Sequence, residues 1–186
     1  MSETASAVEA HVRRFFKGHE VSVKIWPRGP MARTHPGFHV LEVAPGPRSG
    51  LWSYVSVGAL DLCPPNEATL ELVLCAERAV ERAVELVTMV AWYHGSDGLG
   101  LGHTLPLGEG WLPGASCDHL LVSLPYPFGP ELELIPIDGK EAHLLWLLPI
   151  TGAEKDYKVK HGQEALEQLF DADELQYWAA DRPSVV

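Results

Sequence analysis

No apolar run in this sequence is long enough to cross a bilayer: the stretch without a charge at residues 86–93 falls well short of the roughly 20 residues a spanning helix needs. The opening residues, MSETASAVEAHVRR, hold no apolar signal core. Both absences lead us to expect a soluble, cytosolic protein. Cysteine is scarce, and Cys63, Cys75 and Cys117 are an odd number without a C-x-x-C pair, which argues against a disulfide framework and a structural zinc site. Nine histidines include no H-E-x-x-H pair. Basic residues are outnumbered, 14 Lys and Arg against 25 Asp and Glu, for a net charge of −11, and a nucleic-acid face needs clustered cations. Neither a repeat nor a low-complexity linker divides the chain.

What is present is apolar material for one well-buried core, 46% of 186 residues, so we expect a single domain covering residues 1–186. The charge is uneven. Residues 1–66 hold 7 basic and 5 acidic side chains, whereas residues 67–186 hold 7 and 20, nets of +2 and −13. An acidic face built from Glu131, Glu133, Asp138, Glu141, Asp171, Asp173 and Glu174 would steer a basic protein partner, with Tyr126, Phe128 or Trp178 as aromatic neighbours.

The apolar periodicity gives the order of elements. Residues 5–18 read as an amphipathic helix with Val8, Val12, Phe15 and Phe16 on one side, ended by Gly18. Alternation at residues 20–26, 38–43, 51–57 and 68–75 predicts four strands in an antiparallel meander, with a turn at 62–66. From 78 to 94 the period becomes 3.6, with Val80, Ala83, Val84, Val87, Val90 and Ala91 in one stripe. Leu86, Met89 and Trp92 on the other side predict that its second half is buried nearly all round. Strands are expected again at 120–124, 131–137 and 141–148, the last two joined through Asp138-Gly139, and Leu144 to Leu148 should lie inside the sheet. Thr151 and Glu154 have capping-box spacing for a helix from about Ala153, interrupted at Gly162 and continued with Ala165, Leu166, Leu169 and Phe170 on one face. The tail after Ala180 offers little to bury.

The segment from Gly98 onward gathers the residues with reactive chemistry. Gly98, Gly100 and Gly102 are spaced G-x-G-x-G, and Pro106 stands where a phosphate-binding helix would start, so a nucleotide loop is a poor reading. Ser116, Cys117, Asp118 and His119 adjoin in sequence, but Cys117 and His119 in an extended chain would stand about 7 Å apart at Cα, too far for a nucleophile and its base. His103, Cys117 and His119 are the candidates for an enzyme, metal or small-ligand site; no second ligand pair supports them. His143 in an apolar strand reads as a histidine bonded to a neighbour.

Five segments in order carry a resemblance: Trp52-Ser53-Tyr54-Val55-Ser56-Val57-Gly58-Ala59-Leu60-Asp61-Leu62; Ala91-Trp92-Tyr93-His94; Leu101-Gly102-His103-Thr104; Pro125-Tyr126-Pro127-Phe128-Gly129; and Leu147-Leu148-Pro149-Ile150-Thr151. Across residues 35–172 the chain resembles the suppressor-of-fused-like domain family, in its short bacterial single-domain form, since it lacks the second domain of the animal members. The resemblance implies an α+β domain, a mixed, largely antiparallel sheet flanked by helices, acting without catalysis or cofactor. Animal members hold a peptide as an added strand between two domains, and short bacterial members are associated with immunity proteins that neutralise toxins. It implies a protein partner, a toxin or regulatory protein; the charge, the short apolar runs and the ligand spacing described above speak against nucleic acid, membrane and metal. Among ligand-contacting positions it carries over to Tyr54 and, loosely, Asp61; Glu131, Glu133 and Glu141 join them from the charge pattern.

Overall fold

The computed structural model describes residues 2–62, 69–137 and 140–186, with the backbone alone at 140 and 141. Ser2 caps the first helix, α1 (Glu3–Phe15), through its side-chain oxygen on the Ala5 amide, and Val8, Val12 and Phe15 on its inner side are buried. Strands β1 (Val21–Lys24), β2 (His39–Val43), β3 (Trp52–Val57) and β4 (Leu70–Ala76) form the expected antiparallel meander, with the short α2 (Met31–Thr34) between the first two. Helix α3 (Glu81–Asp97) follows, then a three-residue strand, β5 (Thr104–Pro106), β6 (His119–Ser123), α4 (Pro130–Glu133), β7 (Leu134–Ile137), β8 (Lys140–Ile150), α5 (Gly152–His161) and α6 (Gln163–Ala172).

The strands make one eight-stranded sheet in the order β1-β2-β3-β4-β8-β6-β5. Its one parallel pairing is β4 with β8; all others are antiparallel. Strand β8 pairs with β7 along its first residues and β6 along its last, on the edge opposite β4. Leu144 to Leu148 are therefore interior, and the sheet is covered on both faces. Leu145 and Leu147 join Leu70, Leu72 and Leu74 beneath α3 in one apolar layer, whereas Leu144, Trp146 and Leu148 join Val73 and Cys75 beneath α1 and α6 in the other. Side chains alternate across a strand, so an uninterrupted apolar run is what two covered faces demand. Val84, Val87 and Ala91 are buried.

Several expectations need correction. Residues 131–133 are helical, because Gly129 turns the chain at φ 66° and Pro130 supplies a preset φ at the first helical position, which lets Leu132 enter the core. Helix α3 starts at Glu81, three residues later than expected, because the Val80 amide donates to the Tyr54 hydroxyl at 2.8 Å and Val80 stays extended. Its second half is not buried all round: Met89 is 49% and Tyr93 45% exposed, since the sheet covers only one side of the helix. The tail after Ala180 is anchored. Arg182 is buried and meets the buried Glu154 in two 2.7 Å bonds, while Val185 packs on the apolar layer. Glu154 also completes the expected capping box with Thr151. The expected turns at Asp138-Gly139 and, beyond Leu62, at 63–66 lie outside the described residues.

Candidate protein-docking cleft

The glycine-rich segment folds as part of the sheet. Thr104 to Pro106 pairs with the start of β6, and the loop between them is pinned by the Leu107 amide on the Asp118 carbonyl and the Trp111 amide on the Cys117 carbonyl, both at 2.9 Å. Trp111 and Cys117 are fully buried, and burial pushes the Cys117 thiol up to about 11, which leaves little thiolate at neutral pH. His103 is exposed, with Nδ1 accepting from the Gly100 amide at 3.4 Å. His119 Nδ1 lies 2.7 Å from Asp118 Oδ1. Among the described residues, these side chains do not converge on one open pocket, and no three His, Cys, Asp or Glu side chains are placed to hold a metal.

The positions expected to contact a partner are spread over the molecule. Tyr54 is fully buried, with its hydroxyl held by Val80 and pushed up to about 12 by burial. Asp61 is exposed and accepts a hydrogen bond from the Ser2 hydroxyl. Glu131 is gripped in two bonds by Arg48, at 2.6 and 2.9 Å, and that guanidinium holds its carboxyl below the usual range. Glu133 Oε1 lies 3.0 Å from His143 Nδ1. Glu141 pairs through its backbone with Pro136. Phe128 is half-buried, packed edge-on against Phe15 and Phe16 at 5.9 and 5.6 Å between centroids.

A different set of residues forms a cleft of about 380 Å³ between the sheet and α6. Trp146 and Leu148 of β8 line its floor; Phe170 of α6 and Leu175 and Tyr177 of the following segment make one wall, and Tyr126 and Pro127 the other. Trp146 packs edge-on against Tyr177 at 4.6 Å, and its buried indole N–H has no acceptor among the described residues. The rim is acidic: Glu167, Asp171 and Glu174. Glu167 is held by Gln163 at 2.6 Å and by Ser123 and Tyr126 at 3.2 Å each. Burial, with the Glu167 charge second, raises the Tyr126 phenol above its ordinary value. No cation pairs with Asp171 or Glu174 among the described residues.

Glu174 also has the only positive φ of a described non-glycine residue, 48°. It follows the helix end in the left-handed conformation that glycine usually takes there, while the Leu175 amide bonds back to the Phe170 carbonyl at 3.0 Å. A strained residue at the edge of a cleft is an observation from which a functional role can be argued. Charge alone had drawn attention to Asp171 and Glu174, but Glu167, Trp146 and Tyr177 were missed. The spacing of Glu167 and Asp171, i and i+4 beside Phe170, is the signal that puts these two on one helical stripe, whereas Glu174 reaches the rim only through the turn that ends the helix.

The α+β domain thus carries, between its sheet and α6, a largely apolar cleft with two carboxylates, Asp171 and Glu174, that no described cation pairs. The chain belongs to the suppressor of fused protein (SUFU) family, whose family model matches residues 34–183. It is similar to the crystal structure of a putative SUFU homolog from Neisseria gonorrhoeae, at 31% identity and a TM-score of 0.85 over 99% of this chain and 97% of that one. The Sufu–Fu complex matches at 13% identity and a TM-score of 0.72, covering 98% of this chain and 92% of that one. Drosophila Suppressor of Fused matches at 12% and 0.63, covering 98% and 51%. No curated protein sequence matches.

Proposed function

We propose that this protein is a non-enzymatic module of the cytoplasm that sequesters a protein partner, in the manner of an immunity protein or antitoxin, and that a cationic segment of the partner seats in the cleft. The acid-rimmed apolar cleft carries this reading: Trp146, Phe170 and Tyr177 offer desolvated aromatic area, and Asp171 and Glu174 offer charge that no cation among the described residues neutralises. Membership of a family in which Sufu forms a complex with Fu supports a protein as the ligand. Cys75 and Cys117, both free and buried, suit a reducing compartment. No described helix is long and apolar enough to cross a membrane. Glu131 and Glu133 are weaker docking groups, because Arg48 and His143 already occupy them.

The product of the neighbouring gene is the partner to test. It should bind the wild-type chain in a calorimetric titration, and the chain should protect cells that express it. The combined variant Glu167→Gln, Asp171→Asn, Glu174→Gln should bind at least about tenfold more weakly. An unchanged affinity in that variant overturns the cleft as the docking site, and a neighbour that neither binds nor harms cells overturns the immunity reading.

A further inference from the structure

The edge of the sheet farthest from the cleft is bare. Strand β1 pairs only with β2, and the Ala44 amide donates to the Glu20 carbonyl at 2.9 Å, which identifies Glu20 and, by alternation, Ser22 and Lys24 as the residues that bond inward. The N–H and C=O groups of Val21 and Val23 therefore point outward, with no partner among the described residues, and Ile25 follows directly after the strand end. On the face beyond the reach of α1, Val23 is 50% and Ile25 62% exposed. Exposed sheet edges are usually blunted by short strands, charged side chains, bulges or prolines. This edge is short, but its one lysine, Lys24, is paired to Glu42 at 3.1 Å, and proline comes only at Pro27, after the strand.

We propose that β1 is a self-association strand, and that its occupant is the β1 of a second copy, related by a two-fold axis through Val23. Outward-facing residues must meet outward-facing residues, so antiparallel registers move in steps of two. The register that pairs Val23 with Val23 sets Val21 opposite Ile25 and Ser22 opposite Lys24. Within the strand it makes two backbone hydrogen bonds at the Val23 pair, and extending the ladder by one residue, to Ile25, adds up to about four more where Val21 meets Ile25. One face of the new ladder becomes a row of Val21, Val23 and Ile25 side chains from both copies. Lys24 meets a serine, next to the Glu42 that the other copy's Ser22 already touches at 3.3 Å, and no like charges oppose. Shifting the register to centre on Lys24 would set lysine against lysine and lose a pair. The strand is thus complementary to itself in backbone, apolar face and charge, which explains why the occupant is a second copy. Because β1 and the cleft lie toward opposite sides of the sheet, such a dimer presents two free clefts.

Sedimentation equilibrium of the purified full chain between about 1 and 200 µM reads the association directly. The wild type should weigh twice its 20.4 kDa at the upper end. Val23→Lys, at a half-exposed position that leaves the fold intact by circular dichroism, should raise the dissociation constant at least about tenfold by setting two lysines on the axis. Val23→Cys should form a disulfide-linked dimer in air, since hydrogen-bonded antiparallel pairs stand about 5.5 Å apart at Cα, within disulfide range, while the wild type with its own three cysteines should not. A wild type that stays monomeric at the highest concentration overturns the proposal, as does a Val23→Lys protein that still dimerises or a Val23→Cys protein that never links.

Discussion

Two buried charges set the residue-scale energetics, and each has a measurable signature. Glu71 is fully buried within β4, its carboxylate accepting from the Ser56 hydroxyl and from the Gly58 and Leu60 amides at 2.8 and 3.3 Å. Burial raises its pKa from 4.5 to about 7, outweighing those hydrogen bonds, which lower it. Between those two values the folded state keeps a proton that the unfolded chain releases. The stability present below pH 4.5 is therefore lost as the pH rises through about 7, by about 3 kcal/mol, and the loss levels off above that. Urea unfolding from pH 4.5 to 8 should show this decline, and Glu71→Gln should remove it; an unchanged slope in the variant would assign the decline to other groups. Arg182 is the second case. Its guanidinium spans both Glu154 oxygens and donates to the Pro149 carbonyl at 2.9 Å, tying the chain end to the start of α5. Removing it strands a buried carboxylate, so Arg182→Ala should cost about 3–5 kcal/mol in denaturant unfolding. A loss under about 1 kcal/mol would mean that water replaces the guanidinium.

At the scale of elements, what was legible in the sequence depended on short-range patterns. The period-2 runs located β1 to β4 and β8, the 3.6 period located α1 and α3, and Thr151-x-x-Glu154 located the start of α5. The rest depended on partners distant in sequence. Nothing local says that Glu71 lies under a covered face, that Arg182 finds Glu154 28 positions away, or that Met89 and Tyr93 stay on the outside of α3. The same holds for the cleft, whose floor comes from β8 and whose rim comes from α6 and the segment after it. Glu174 separates local stability from function at that rim. In its left-handed conformation glycine is favoured by about 1 kcal/mol, so Glu174→Gly should raise the unfolding free energy by that amount while weakening the partner. A variant that gains stability and keeps full affinity would show that the rim charge at 174 has no part in binding.

For the molecule as a whole, the uneven charge is what a partner meets first. The segment from 67 onward carries a net of −13, but contact partners decide which of those charges act at a distance. Arg48 spans Glu131 and His143 sits against Glu133, whereas Asp171 and Glu174 stand exposed beside an aromatic floor. A basic partner should therefore be steered toward α6 and away from α4. Its association rate should fall steeply between about 50 and 500 mM salt, where the screening length shrinks from roughly 14 to 4 Å. Neutralising Glu167, Asp171 and Glu174 should lower the low-salt rate and flatten that dependence. The corresponding change at Glu131, Glu133 and Glu141 should alter it less, because Arg48 and His143 already offset the field of Glu131 and Glu133. Stopped-flow measurement of the two triple variants against wild type decides between the surfaces. Equal losses in both would show that total charge alone steers the partner, and a salt-independent wild-type rate would mean that the acidic rim acts, if at all, only after contact.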